Sequence, residues 1–287
     1  MYKLRFFFLF EIICCFALCA GAEAVTDWIY LDNGTVRIGV DRSRGACVGY
    51  FGESKTGRNL LNHFDEGRFV QQSYYGAPDG SMWNKQSWSY NPVQGGSWDG
   101  KPSRLLEFRK TEDSLYAKIE PRSWSGGARC PEAIMEETIT LKDSVARITF
   151  KMTYTGEDQG NPRHQEMPAV FVDAALSNLV YVSDYKVTRR VPGWPNESGN
   201  ASENWVAYLD ETDWGIGILT PGTTDFTCYR FGVGAVGSEV SPCAYVAPVR
   251  IFVLTKGLVV EYAVFLTVGS LADIQERFKE LKNEYRN

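Results

Sequence analysis

The run Arg163-His164-Gln165-Glu166 sets an imidazole and a carboxylate two residues apart. In a β-strand that spacing puts both side chains on one face. Such a pair supplies an acid and a base near neutral pH, so His164 and Glu166 are candidate catalytic groups. A histidine on a strand also serves purely structural ends, and that alternative stays open. The other histidine, His63, sits near Asp65 and Arg68 and reads as satisfying a local turn.

A second concentration of chemistry runs from residue 62 to residue 100. It interleaves Tyr74, Tyr75, Trp83, Trp88, Tyr90 and Trp98 with Asp65, Arg68, Gln71, Gln72, Asn84, Asn91 and Gln94. Sugars present apolar C–H faces and a rim of hydroxyls. They are held by flat aromatic platforms together with amide, guanidinium and carboxylate partners. The segment supplies both, and its glycines mark loops, where sites are commonly built. Gln71, Gln72, Tyr74, Trp83, Trp88, Asn91, Gln94 and Trp98 are therefore the expected substrate-binding set. The competing reading makes the aromatics core and the amides turn caps.

Two reactions on a glycan fit these residues. In β-elimination, Arg68, Gln71 or Asn91 would neutralise a uronate carboxylate, and Tyr75 or His164 would take or return the proton. In glycoside hydrolysis two carboxylates flank the bond at roughly 5 to 9.5 Å, and Glu166 would pair with Asp65, Asp79 or Asp173. Other schemes have little support: the chain holds no G-x-S-x-G, H-E-x-x-H or P-loop pattern. No C-x-x-C spacing suggests a thiolate metal site. No cofactor is expected, while a structural Ca²⁺ held by carboxylates and carbonyls stays open.

The elements that must position these residues are strands. Ala146, Ile148, Phe150, Met152 and Tyr154 alternate with Val145, Arg147, Thr149, Lys151 and Thr153, which is period two with one face buried. Residues 134–141 form its partner across the turn Lys142-Asp143-Ser144. Residues 35–41 alternate in the same way. Further hairpins are expected for 205–209 with 215–219, and for 248–254 with 258–268 around Lys256-Gly257. Many short strands separated by Gly, Asn, Asp and Pro predict an all-β fold, a large antiparallel sandwich. One helix closes the chain: Ser270 and Asp273 form a capping box ahead of Leu271, Ile274, Phe278 and Leu281.

The first residues read as a secretory signal, with Lys3 and Arg5, an apolar run from Phe6 to Leu18, and small residues at 20–24. That run is too short to cross a bilayer, which takes about 20 residues. The chain therefore divides into a signal peptide, 1–24, and one β-sandwich domain, 25–287, that is secreted or periplasmic and carries no stable membrane span. Seven cysteines fall to four after cleavage, and an even number in an oxidising compartment predicts two disulfides. Cys228 with Cys243 is the preferred pair, leaving Cys47 with Cys130. A net charge of −5 without a basic stripe argues against nucleic acid. Sequons at Asn33, Asn196 and Asn200 would accept glycans in a eukaryotic host. Nothing in the sequence assigns an oligomeric state.

The stretch Asn33-Gly34-Thr35-Val36-Arg37-Ile38-Gly39-Val40-Asp41, followed by Arg44-Gly45 and Asn59-Leu60-Leu61-Asn62, resembles the opening of the galactose-mutarotase-like β-supersandwich. Glu166-Met167-Pro168-Ala169 and the Trp214-Gly215-Ile216-Gly217-Ile218 hairpin are similar to later parts of the same group. The resemblance implies the supersandwich fold and sugar handling, since the group holds aldose epimerases, glycoside hydrolase modules and polysaccharide lyase domains. Its epimerases use a histidine acid and a glutamate base, which would carry over by type to His164 and Glu166. Together these readings predict an exported carbohydrate-active enzyme, a lyase or glycoside hydrolase acting on a polysaccharide or oligosaccharide. A non-catalytic carbohydrate-binding protein and an epimerase-like enzyme are the alternatives.

Overall fold

The alternation over residues 145–154 builds the centre of the larger sheet. In the computed structural model, which describes residues 27–233 and 241–284, strand Val145–Tyr154 pairs in unbroken register with Ala133–Lys142 on one side and with Val259–Ser270 on the other. Among the described residues the strands form two main antiparallel sheets. The larger has nine strands, and outward from this centre it adds Trp214–Leu219, Trp205–Leu209, Asn178–Ser183 and Lys186–Arg190 on one flank. Ser114–Glu120 and Arg104–Lys110 complete the other. The second sheet has seven strands, with Gln71–Ser73, Arg163–Asp173, Cys243–Phe252 and Asp225–Phe231 at its middle. A three-stranded sheet, Trp28–Asp32, Val36–Asp41 and Cys47–Glu53, adds the N-terminal meander.

Between the sheets lies the main core. Met135, Ile139, Ile148, Phe150, Met152 and Val264 face Tyr74, Val170, Val172, Ala244 and Val246, all buried. The nine-stranded sheet is apolar on its outer face too, because the helix Leu271–Glu284 covers it. Ile274 and Phe278 pack there with Trp205, Leu209 and Leu219. Gly217 permits this approach, since a Cβ there would meet the Ile274 side chain at 2.5 Å. Ser270 and Asp273 cap the helix as expected: the Ser270 amide donates to the Asp273 carboxylate at 3.1 Å, and the Asp273 amide donates to Ser270 Oγ at 3.2 Å. No helix among the described residues is long and apolar enough to cross a membrane. The segment read as a signal peptide lies outside them.

Two expectations are corrected. The stretches around Lys256-Gly257 do not form a hairpin, because Cys243–Phe252 belongs to the seven-stranded sheet and Val259–Ser270 to the nine-stranded one. The turn is where the chain passes between layers. The disulfides are also absent: Cys47, Cys130, Cys228 and Cys243 are free and buried. Cys228 stands opposite Val246 and Cys243 opposite Phe231, so the two are three register places apart. That is about 10 Å along the strands, beyond the roughly 7 Å that a bridge tolerates. Cys47 instead donates to the Gln71 side-chain carbonyl at 3.4 Å, and Cys130 faces the Ala128 carbonyl at 3.9 Å.

One buried charge stands out within the core. Glu137 points between the sheets, and neither of its oxygens has a well-aligned hydrogen-bond partner among the described residues. Loss of solvation raises its pKa to about 8, with the neighbouring Gln94 side chain offsetting part of the rise. The folded state thus holds a proton that the unfolded chain releases near its ordinary 4.5. Stability from this group is complete below that value and declines as pH climbs toward 8. Glu137→Gln should flatten the decline and raise the thermal midpoint at pH 8 relative to the native chain, as read by calorimetry across that range. In the second core layer, Phe278→Ala should cost about 3–5 kcal/mol in urea unfolding by detaching the helix from its sheet.

Candidate functional site

The outer face of the seven-stranded sheet holds a cavity of roughly 420 Å³. Strand Arg163–Asp173 makes its floor, and a bulge there decides which residues face it. Glu166 pairs with Val249 and Val170 with Val246, so four steps on one strand match three on its neighbour. The extra residue reverses the alternation. Val170 and Val172 go to the core, while Ala169 and Phe171 join Glu166 on the cavity side.

Glu166 is the carboxylate at the centre of this floor. The Tyr75 hydroxyl donates to its Oε2 at 3.0 Å, and the Tyr245 hydroxyl lies close enough to favour its charged form. Burial raises the Glu166 pKa, and the two tyrosine hydroxyls draw it partly back. The same burial, with the carboxylate beside them, pushes the Tyr75 and Tyr245 hydroxyls well above the usual tyrosine range. Both tyrosines therefore act as neutral donors at physiological pH.

Aromatic rings wall the cavity. Tyr229 stacks on Tyr245 at 4.4 Å between centroids, Phe171 lies 4.6 Å from Tyr245, and Trp194 stands edge-on to Tyr229 at 5.0 Å. Opposite, the hairpin Pro78–Trp83 with Gln86–Ser89 brings Trp83 within 5.1 Å of Trp88, and Trp83 also approaches Trp124 at 6.4 Å. Gly67 makes room here, because a Cβ would meet the Trp124 ring at 2.4 Å. Trp194 at the rim is 58% exposed, so its ring is open to a ligand.

Among the expected catalytic residues, Glu166, Tyr75 and Arg68 line the cavity and His164 does not. His164 does share a face with Glu166, but it lies opposite the exposed Ile251, on the part of the strand beyond the cavity. Arg68 is engaged: its Nε lies 3.4 Å from Asp65 Oδ2 and its Nη1 donates to the Ser241 carbonyl. Of the expected binding residues, Trp83, Trp88, Gln71 and Asn91 line the cavity. Both amides are held by the protein. Gln71 donates to the carbonyls of Glu66 and Gly67 and accepts from the Gly95 amide; Asn91 donates to Ser73 Oγ and the Tyr74 carbonyl and accepts from Trp88.

Gln72, Tyr74 and Gln94 are fully buried away from the cavity. Gln72 donates to the Glu136 carbonyl and accepts from the Tyr74 hydroxyl, while Gln94 donates to the Gly45 carbonyl. They are core polar groups, as the competing reading has it. Trp98 is half exposed and donates to the Ser125 carbonyl outside the cavity. Asp79 and Asp173 accept from backbone amides in local turns and do not line the cavity either. His63 accepts a local role, 3.3 Å from the Asn59 amide and edge-on to Trp28. Among the described residues no three His, Cys, Asp or Glu side chains converge as metal ligands.

Tyr229, Tyr245, Trp124, Trp194 and Phe171 are site residues that the sequence reading passed over. Trp194, in Val191-Pro192-Gly193-Trp194-Pro195-Asn196, had a signal: a tryptophan in a proline- and glycine-rich loop is seldom core. Tyr229 and Tyr245 had none, since a tyrosine in a buried strand looks like packing.

The sequence matches no protein-family model and no curated protein. The fold, however, is shared with solved structures. A galactose mutarotase-like protein from Lactobacillus casei matches at TM-score 0.55 and 11% identity, over 84% of this chain and 99% of its own. A galactose mutarotase related enzyme from Lactobacillus acidophilus matches at TM-score 0.54 and 8% identity, over 85% and 97%. A 4-alpha-glucanotransferase from Thermococcus litoralis matches at TM-score 0.50 and 12% identity, over 85% of this chain and 38% of the enzyme. The chain thus has the galactose-mutarotase-like sandwich that its opening residues resemble, and the likeness at this identity concerns the fold.

The hydrogen bonds at Glu166 carry a measurable consequence. Removing either donor, in Tyr75→Phe or Tyr245→Phe, should move the carboxyl titration of Glu166 upward, because each hydroxyl favours the anion. Carbon-13 NMR of labelled glutamate, assigned through Glu166→Gln, reads the change. An unmoved or lowered midpoint in both variants would contradict the assigned bonding.

Proposed function

We propose that the cavity binds a saccharide and moves protons at its anomeric centre, with Glu166 as the proton-transferring group. The observation that carries this reading is a carboxylate of raised pKa, held by two tyrosine hydroxyls, on the floor of a tryptophan-walled cavity. Trp83, Trp88 and Trp194 offer flat faces for the apolar side of a sugar ring. A carboxyl whose pKa is moved toward neutrality both takes and returns a proton efficiently. Tyr75 or Tyr245 would supply the complementary neutral donor, the role that a histidine fills in the aldose epimerases this chain resembles.

The charges in the cavity weigh against the other two chemistries. Among the described residues Asp65 is the one further carboxylate lining it, and the Arg68 guanidinium lies 3.4 Å from it. Two-carboxylate hydrolysis therefore finds no free partner for Glu166. Elimination from a uronate needs a cation to acidify the C–H bond, and the cavity's Arg68 is already matched by Asp65. Anomeric proton transfer needs one base and one donor, which Glu166 and a tyrosine hydroxyl would supply. The N-terminal leader pattern supports export, so the sugars met would be extracytoplasmic ones.

Anomer interconversion can be followed by polarimetry or exchange NMR over a panel of aldoses, and tryptophan fluorescence reports binding. The native chain should convert at least one of them. Glu166→Gln should lose roughly 10²–10⁴-fold of that rate while retaining binding, and Trp88→Ala should weaken binding. If no saccharide binds, or if Glu166→Gln converts as fast as the native chain, the reading falls.

A further inference from the structure

The ionic make-up of the cavity singles out one class of sugar. Among the described residues, two acidic side chains, Asp65 and Glu166, and one basic side chain, Arg68, line it beside its aromatic walls. Arg68 is matched with Asp65 and with the Ser241 carbonyl. Glu166 has only neutral partners, the Tyr75 and Tyr245 hydroxyls, and no ion pair among the described residues. A carboxylate withdrawn from water without a countercharge is strongly disfavoured. It is relieved by a proton or by a cation that enters with the ligand.

The surroundings of Glu166 suit a cation. Tyr245 and Phe171 flank it on the same sheet face, Tyr229 backs them, and Trp194 closes the rim. Aromatic faces attract ammonium groups lying within about 6 Å of a ring centroid. An ammonium–carboxylate hydrogen bond is roughly twice as strong as one between neutral groups. A sugar carboxylate or sulfate would meet an excess negative charge there instead.

Building on the saccharide reading above, we infer that the cavity prefers a saccharide bearing a free ammonium group, a hexosamine unit, seated against Glu166 and its aromatic wall. N-Acetylation of that amine removes the charge and with it the preference.

The test is calorimetric titration of the full chain with short glucosamine oligomers and with N-acetylglucosamine, glucose and glucuronate oligomers of equal length. The glucosamine oligomer should bind at least tenfold tighter than its acetylated and neutral counterparts, with the glucuronate oligomer weakest. Added salt should reduce the glucosamine affinity and leave that of the glucose oligomer unchanged. Glu166→Gln should abolish the preference and keep affinity for the neutral oligomer. Equal or tighter binding of the acetylated, neutral or acidic oligomers by the native chain overturns this inference and leaves the saccharide reading standing. Binding of none of the four overturns both.

Discussion

One strand serves two faces of the sheet at once. Arg163–Asp173 must bury Val170 and Val172 between the sheets and also carry Glu166, Ala169 and Phe171 on the opposite side. Plain alternation cannot do this, because Glu166 would share a side with Val170 and Val172. The single extra residue between Glu166 and Val170 resolves the conflict. Everything at the site follows from it: Tyr75 and Tyr245 reach a carboxylate that would otherwise point into the apolar core.

The two faces also divide the chain's polar groups by role. Between the sheets, Gln72 and Gln94 donate to backbone carbonyls, which is how buried amides are normally satisfied. Glu137 in the same layer has no such tie, and burial keeps it protonated well above the ordinary carboxylate range. Glu166 is raised by the same desolvation, yet it opens on a cavity where a ligand can reach it. Identical physics thus gives a stability liability in one place and a ligand-accessible carboxyl in the other. Access to the outside is what separates them.

The fold holds its four described cysteines as free thiols, without disulfides. A chain of this length buries enough apolar surface in two sheets and a helix layer to need no covalent staple. Each of the four described thiols is buried, and burial raises their pKa values, so little of the reactive thiolate forms.

By itself the sequence determined whatever depends on local periodicity. The alternation of 145–154 beside its partner 134–141, the capping box at Ser270 and the density of turn residues predict an antiparallel sandwich with a terminal helix, and the tryptophans of 83 and 88 announce an aromatic platform. These signals survive because hydrophobic spacing acts within a few residues. Tertiary structure decided what depends on register between distant strands. The bulge set the side on which Glu166 emerges, and strand ends set His164 beyond the cavity. Register offset kept Cys228 from Cys243, and sheet pairing drew Tyr229 and Tyr245 from the far end of the chain to a carboxylate at 166. A one-residue slip reverses every side chain of a strand, and such a slip leaves no mark on composition or spacing.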